Sequence, residues 1–260
     1  MFHVKHRMPL GPGRTRRFHV KHYDLAMIDP ADVEKALALV GVACPIGGLT
    51  LIARHADAVL DENTRMNLTR VTERADVLRL HIADSAAAIR AFDGLYAGPL
   101  ADIGSGAGYP GIVLHILTGR PVTLIESVKK KAAFLTRTSK ELGLEVQVLG
   151  ERAEDVGRER PQSFACVVAR ALSSLPALVE LAEPLLMKHG RLIAMKGPLD
   201  ASELMRGDQA AKICGMRRSG LDEFELSEGE RRTIISYERV SSPRVSLPRR
   251  NGMAQRHPLA

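Results

Sequence analysis

The segment 102–111 reads DIGSGAGYPG and combines a glycine-rich stretch with an acid at its start. It lies between two apolar runs, where glycine allows a tight turn and lets a ligand approach the backbone. In a dinucleotide-binding loop built on Gly104 and Gly106, the third glycine would fall at position 109, where Tyr109 stands. Asp102 is instead placed for the cationic methionine end of S-adenosylmethionine, or for a water beside it. We therefore predict an S-adenosylmethionine site that uses Asp102, Gly104, Gly106, Gly108 and Tyr109.

Two later segments carry acids that suit the same ligand. Glu126 ends the next predicted strand, 18 residues after Gly108. At that carboxyl end it can accept hydrogen bonds from both hydroxyls of an adenosine ribose; the alternative is a solvated glutamate. Ala153 and Glu154 follow the third predicted strand, and we expect them at the hydrogen-bonding edge of the adenine ring. An ordinary charged turn is the alternative for these two residues.

The fourth predicted strand ends in Arg170, at the edge where substrate meets cofactor in doubly wound sheets. It carries neither the Asn/Asp-Pro-Pro-aromatic motif typical of exocyclic-amine methylation nor a terminal cysteine, since Cys166 lies inside the strand. An arginine suits a target that is already nucleophilic, such as guanine N7, and could contact the cofactor, a phosphate or the guanine face. A structural salt bridge is the alternative. Lys196, at the end of the fifth strand, could hold RNA phosphate or be a solvated strand end.

Alternating strands and helices must position these residues. Strands are predicted at 99–103, 122–125, 145–149, 164–169 and 191–195, and helices at 112–117, 129–142 and 174–188. This alternation predicts an α/β domain with a mostly parallel, seven-stranded sheet covered on both faces, of the Rossmann-like methyltransferase type. A last strand at 233–239 could insert antiparallel. Before the sheet, helical periodicity from Asp29 to about Phe92 predicts an all-helical portion.

The basic excess of the chain lies at its two ends. The 260 residues carry a net charge of +7, yet residues 1–22 and 239–260 contain basic groups and no acid. We expect both ends to be disordered and suited to weak contact with RNA phosphates. The leader also repeats the sequence FHVKH at 2–6 and 18–22, but it lacks the rigid scaffold that a metal site needs.

The remaining composition is that of an ordinary globular protein. Hydrophobic residues make up 45% of the chain, and no run approaches the length of a membrane span. We see no secretory signal. The three cysteines, Cys44, Cys166 and Cys214, have no metal-type spacing. We therefore expect a cytoplasmic protein with reduced thiols, no metal site and no membrane partner.

Several of these segments, in this order, make the chain resemble the glucose-inhibited-division protein B family of bacterial 16S ribosomal RNA guanine-N7 methyltransferases. The matching stretches are NLT at 67–69, HIADS at 81–85, DIGSGAGYPG at 102–111, RAE at 152–154, ARA at 169–171 and MKG at 195–197. They extend over about residues 45–240. Composition and periodicity divide the chain into a basic leader at 1–28, a helical portion at 29–97, a methyltransferase domain at 98–240 and a basic tail at 241–260. The resemblance excludes the two basic ends and implies a Rossmann-like methyltransferase domain with a helical N-terminal portion.

The resemblance also implies site residues and a substrate. Gly104, Tyr109, Ala153, Glu154 and Arg170 match the family's cofactor-contact positions. His81, Asp84 and Ser85 match a signature of unassigned role, in which the family usually has arginine before the histidine; here Leu80 stands there and Arg79 precedes it. The implied activity is methyl transfer from S-adenosylmethionine to a guanine N7 near the decoding site of 16S rRNA, in assembled or partly assembled small subunits, by a monomer. The alternatives are a small-molecule methyltransferase and a non-enzymatic ribosome-assembly factor with a retained cofactor pocket.

Overall fold

The computed structural model describes residues 27–260, so nearly all of the predicted leader, including the FHVKH repeat, lies outside the described residues. The α-helices are α1 (Pro30–Ala38), α2 (Gly48–Asn63), α3 (Arg74–Asp76), α4 (Asp84–Ala87), α5 (Gly111–Thr118), α6 (Lys129–Glu141), α7 (Ala153–Glu159), α8 (Leu175–Ala182), α9 (Ala201–Ile213) and α10 (Met253–Arg256). A π-helical turn, Val77–Ala83, joins α3 to α4, and 3-10 turns span Ala88–Ala91 and Glu183–Leu185. None of the described helices is both long and apolar enough to cross a membrane.

The described residues form one seven-stranded sheet. Its strands are β1 (Leu100–Ile103), β2 (Val122–Ile125), β3 (Val146–Leu149), β4 (Phe164–Arg170), β5 (Leu186–Lys196), β6 (Met216–Glu225) and β7 (Arg231–Arg239). The order is β3-β2-β1-β4-β5-β7-β6; the first five strands are parallel, and β7 and β6 are antiparallel to their neighbours. The predicted Rossmann-like, mostly parallel sheet is therefore confirmed. Its carboxyl edge brings the ends of β1, β2 and β4 together.

Two apolar layers cover the sheet because successive side chains of each strand point to opposite faces. Leu100 of β1 and Val168 of β4 face one layer, which also contains α5 and the N-terminal helices. Ala101 of β1 and Val167 of β4 face the other, with α8 and α9. The helical N-terminal portion thus completes one face of the methyltransferase domain, next to the glycine-rich segment.

The helix predicted at 174–188 is too long. Helix α8 ends at Ala182, Pro184 lies in the 3-10 turn that follows, and β5 begins at Leu186. Proline cannot donate the backbone hydrogen bond that a continuing helix needs. The apolar residues beyond Pro184 therefore continue as a strand, which makes β5 longer than the predicted 191–195.

The C-terminal tail differs most from its prediction. Residues 241–260 were expected to be disordered, but they pack against the domain and contain α10. Ala254 is buried, and Leu247 and Leu259 pack against the layer that contains α8. The basic Arg249 forms a salt bridge with the buried Glu180 of α8. The prediction was wrong because these partners lie far from the tail in the sequence, so that its composition alone suggested a solvated segment.

Candidate cofactor and target site

The glycine-rich segment forms the loop between β1 and α5. Gly104 and Gly106 have φ values of +73° and +58°, a region that side-chain-bearing residues rarely adopt. A Cβ atom on Gly104 would lie 2.6 Å from Cδ1 of Leu172, so a side chain there would have to displace Leu172. A Cβ on Gly106 would meet nothing closer than the Gly104 carbonyl oxygen at 3.8 Å. Gly106 therefore leaves one side of the loop backbone open to a ligand.

Asp102, at the end of β1, is fully buried beneath this loop. Its Oδ2 accepts a hydrogen bond from the Gly111 backbone N–H at 2.9 Å, whereas the buried Oδ1 has no protein partner. Burial raises the pKa of the Asp102 carboxyl to about 7, and the Gly111 hydrogen bond opposes part of that rise. A buried carboxylate oxygen without a partner is costly, so Oδ1 marks a place for a donor or a cation that the chain itself does not supply.

Glu126 follows β2 and is also buried. Its Oε2 accepts a hydrogen bond from the Gly106 N–H at 2.9 Å, and its Oε1 accepts one from the Val128 N–H at 2.7 Å. The two backbone donors fix the carboxylate against the glycine loop. Each carboxylate oxygen can accept more than one hydrogen bond, so both can also meet the hydroxyls of a ribose.

A small cavity of about 50 Å³ opens beside the glycine loop at the carboxyl edge of the sheet. Residues from six segments line it: Gly104, Ile125, Ser127, Glu151, Arg152, Ala153, Glu154, Leu172, Leu181 and Gln255. Ala153 and Glu154, predicted for the adenine edge, thus lie beside the same cavity as Gly104. The Glu154 carboxylate is buried, and its Oε1 accepts a hydrogen bond from the Gly252 N–H of the tail at 2.7 Å. Glu154 therefore also anchors the C-terminal segment, a contact that the sequence did not predict.

Arg170 connects the end of β4 to the HIADS segment. Its Nη1 donates to the Leu80 carbonyl at 2.8 Å and to Asp84 Oδ2 at 3.0 Å, and its Nη2 lies 3.3 Å from His81 Nδ1. Asp84 Oδ1 accepts a second hydrogen bond from Arg232 Nε at 3.0 Å. Two guanidinium groups thus share one carboxylate, which leaves an excess positive charge at this edge. The salt-bridge alternative for Arg170 is correct as far as these contacts go.

His81 and His55 enclose the aromatic ring of Tyr109. The His81 ring stacks on Tyr109 with centroids 4.6 Å apart, and His55 tilts against the same ring at 4.7 Å. His55 Nε2 also contacts the Ala107 carbonyl of the glycine loop at 2.9 Å. Burial lowers the pKa of His55 to about 4, and burial together with the Arg170 charge lowers that of His81 to about 3. Both histidines are therefore neutral at physiological pH and support the loop by packing.

Some of the residues around Tyr109 and Arg170 could be recognised from the sequence and one could not. His81 and Asp84 belong to the HIADS signature, and the structure brings them together with Arg170. Ser85 of the same signature is buried, and its hydroxyl donates to the His81 carbonyl. His55 carried no signal beyond its place on the apolar face of α2, so sequence reasoning missed its contact with the glycine loop.

Lys196 lies at the end of β5, on the same edge, but it faces other partners. Its Nζ is 2.9 Å from Glu203 Oε1 and 2.9 Å from the Ser173 carbonyl oxygen. Glu203 Oε1 also accepts a hydrogen bond from the Leu175 N–H at 2.8 Å. These contacts tie α9 to the loop before α8. The structure thus does not bring Lys196 into contact with the Arg170 cluster.

Comparison with known proteins identifies the family. The model of the GidB family, described as rRNA small subunit methyltransferase G, matches residues 49–234. The chain belongs to this family. A relative from Desulfitobacterium hafniense, named Ribosomal RNA small subunit methyltransferase G, is 39% identical over 79% of this chain and 87% of its own length. A relative of the same name from Rubrobacter xylanophilus is 35% identical over 96% of this chain and 98% of its own.

Solved structures agree on the fold of this methyltransferase. Geranyl diphosphate C-methyltransferase from Streptomyces coelicolor, solved with S-adenosyl-L-homocysteine, superposes with a TM-score of 0.52. It is 17% identical and covers 66% of this chain and 86% of its own. At that identity the likeness shows the shared fold alone.

As a GidB-family methyltransferase, the protein uses S-adenosylmethionine as its methyl donor. The residues present fit this cofactor. The unpartnered Oδ1 of Asp102 suits a cationic amino group, the open side of Gly106 admits a ligand, and the cavity beyond Ile125 is lined by the α7 residues expected at adenine.

Proposed function

We propose that this chain transfers a methyl group from S-adenosylmethionine to N7 of a guanine in 16S ribosomal RNA, near the decoding site. The names of its relatives support ribosomal RNA of the small subunit as the substrate. The choice of N7 rests on one observation. The end of β4 in the described structure presents an arginine cluster, with no accessible thiol and no side chain free to act as a base.

The covalent route to a pyrimidine needs a reactive thiol, and Cys166 does not provide one. It lies inside β4, paired with Leu100 of β1, and it is fully buried. Burial raises its pKa to about 12, so the thiolate that would attack a base does not form. Cys214 is also buried, and its pKa is likewise raised to about 12. A covalent adduct through either residue is therefore disfavoured.

His81 is the nearest candidate for a general base, but both of its ring nitrogens have partners. Arg170 can only donate, so His81 Nδ1 accepts from it, and Nε2 carries the proton toward Thr69 Oγ1 at 2.8 Å. Removing a proton from an exocyclic amine would require a free acceptor. Guanine N7 has a free lone pair and no proton to lose. The pairing of His81 therefore favours N7 as the target.

Bound S-adenosylmethionine supplies an electrophilic methyl group on its sulfonium. We propose that Asp102 and Glu126 orient the two ends of the cofactor, together with the backbone at Gly104, Gly106 and Gly108. The fixed glycine loop, held by Tyr109 and its two histidines, keeps this orientation without rearrangement. The chain then contributes alignment rather than proton transfer.

We propose that Arg170 and Arg232 orient the target. Asp84 balances only one of their two charges, and the Arg170 side chain is 13% exposed and that of Arg232 20% exposed. Guanidinium groups suit phosphate oxygens and the O6 acceptor of guanine. Lys196 has an indirect part: through Glu203 it fixes the loop that follows Arg170.

Methyl transfer to isolated small subunits tests this proposal. The chain, donating label from S-adenosylmethionine, should modify subunits that lack the N7 methyl group, and digestion should release labelled 7-methylguanosine. Assembled subunits and protein-free 16S RNA, compared side by side, would show which form is the substrate. Label in a different nucleoside would overturn the N7 assignment. Label in a small metabolite and none in RNA would favour a small-molecule methyltransferase, and cofactor binding without any transfer would favour an assembly factor.

A further inference from the structure

We propose that the C-terminal segment 247–257 forms part of the cofactor site and that its Gln255 recognises the hydrogen-bonding edge of adenine. The segment lies beyond the residues that match the family model, which end at 234. It is far in sequence from the glycine loop, yet it lines the same cavity. This inference rests on the proposed cofactor site and adds a residue of the C-terminal segment to its lining.

The first anchor of the segment is a salt bridge to α8. Arg249 donates through Nε and Nη2 to the two carboxylate oxygens of Glu180, each at 2.6 Å. The Glu180 side chain is only 2% exposed. Such a bidentate pair fixes both distance and orientation. The same Arg249 donates to the His257 carbonyl at 2.6 Å, which closes the segment on itself.

The second anchor is the first turn of α7. Asn251 Nδ2 donates to the Asp155 carboxylate at 2.8 Å and 3.0 Å, and the Gly252 N–H donates to Glu154 Oε1. The segment therefore bridges α7 and α8, the helices that follow β3 and β4. Both helices border the cavity, α7 through Ala153 and Glu154 and α8 through Leu181. The bridge thus holds two sides of the cofactor site in a fixed relation.

Between these anchors and the cavity lies the short helix α10. Ala254 is 2% exposed and belongs to the apolar layer, while the next residue, Gln255, is exposed and lines the cavity together with Gly104 and Leu172. A carboxamide presents one donor and one acceptor side by side. This pair is complementary to the N6 amino group and N7 of adenine, whereas hypoxanthine presents two acceptors, O6 and N7, at the same edge. The position and chemistry of Gln255 therefore match a reader of adenine.

The test compares two ligands that differ only at the purine 6-position. S-adenosylhomocysteine carries an amino group there and S-inosylhomocysteine a carbonyl, and calorimetry on the full chain gives both dissociation constants. Gln255→Ala should bind S-adenosylhomocysteine about three- to tenfold more weakly, as expected for one lost hydrogen bond. Its preference for adenosine over inosine should shrink by a similar factor. Gln209→Ala, which removes an exposed glutamine of α9 that does not line the cavity, should leave both constants unchanged.

A second pair of variants tests the anchoring. Arg249→Ala should weaken S-adenosylhomocysteine binding, whereas Arg244→Ala removes the same charge from an exposed position outside the segment and should not. Hydrogen exchange should show that S-adenosylhomocysteine protects backbone amides of 249–256 as well as those of the glycine loop. If Arg249→Ala unfolds the protein, Gln255→Ala decides the test.

Failure of this inference is distinct from failure of the cofactor site. If Glu126→Ala abolishes binding while Gln255→Ala keeps both affinity and base preference, the cofactor site stands and the role of the tail is refuted. If Glu126→Ala binds S-adenosylhomocysteine as well as the original chain does, the proposed cofactor site itself is refuted.

Discussion

The substitution Asp102→Asn should make the ligand-free protein more stable at pH 8 and its cofactor binding weaker. Asp102 is fully buried, and only its Oδ2 has a protein partner. An asparagine can keep its carbonyl oxygen on the Gly111 N–H and places a neutral amide where the unpartnered Oδ1 lies. The fold then loses a buried charge, while the cofactor loses the partner proposed for its cationic end.

The size of the effect follows from the raised pKa of Asp102. A native pKa of about 7 against an ordinary value of 3.8 corresponds to about 4 kcal/mol. Between these two pH values the native state keeps a proton that the unfolded state has lost, so the free energy of unfolding falls as the pH rises. The full cost is present above about pH 7 and absent below 3.8. At pH 8, Asp102→Asn should therefore recover up to about 4 kcal/mol.

Ligand binding should show the opposite dependence on pH. If the cofactor's cationic end selects the ionised carboxylate, a pKa of about 7 makes the affinity of the original chain rise about tenfold between pH 6 and pH 8. Asp102→Asn should remove this rise and bind more weakly at pH 8.

Two measurements check both parts. Urea denaturation of the ligand-free protein at pH 5 and pH 8 gives the free energies of unfolding, and calorimetry with S-adenosylhomocysteine at pH 6, 7 and 8 gives the affinities. Glu145→Gln, at an exposed position just before β3 and outside the cavity lining, serves as a control for the loss of an acidic charge. Two results together would contradict this prediction. The unsubstituted chain would bind S-adenosylhomocysteine with the same affinity from pH 6 to pH 8, and Asp102→Asn would be less stable than the unsubstituted chain at pH 8.

Three further predictions concern the same edge of the sheet. Gly106→Ala should still fold but lose about 1–2 kcal/mol of stability, because the φ of Gly106 is positive. It should bind S-adenosylhomocysteine at least tenfold more weakly by calorimetry, because the added methyl group occupies the open side of the loop; unchanged affinity would contradict this. Cys166→Ala should keep methyl-transfer activity, because the thiol is buried and protonated; inactivity in a folded variant would restore a covalent mechanism. Arg170→Ala should lower activity at least tenfold, about 1.4 kcal/mol, in labelled-transfer assays; unchanged kinetics would remove it from the site.

The fold was largely predictable because its main signals are local. Asp29, where the helical portion was predicted to begin, caps α1 by accepting from the Ala31 N–H at 2.8 Å. The buried strands β1, β2 and β4 are short apolar runs, which periodicity identifies directly. The edge strand β6 was missed because half of its residues are charged and Met216 is its one buried residue. Its place depends on pairing with β7, which composition does not reveal.

The candidate site was predictable where its residues are contiguous. Asp102 and the glycines form one motif, and Glu126 follows the next strand at a regular distance. The contact of His55 with the glycine loop spans 52 residues, and that of Gly252 with Glu154 spans 98. Such contacts depend on how the helices pack in the folded protein, so no spacing in the sequence predicts them. The ordered tail escaped prediction for the same reason.

Mass mapping of modified bases in 16S ribosomal RNA, from cells with and without this protein, tests the central proposal most directly. The account predicts an N7-methylated guanosine near the decoding site that is present with the protein and absent without it. The same methylated guanosine in both RNA samples, or a difference confined to another base or another atom, would contradict it.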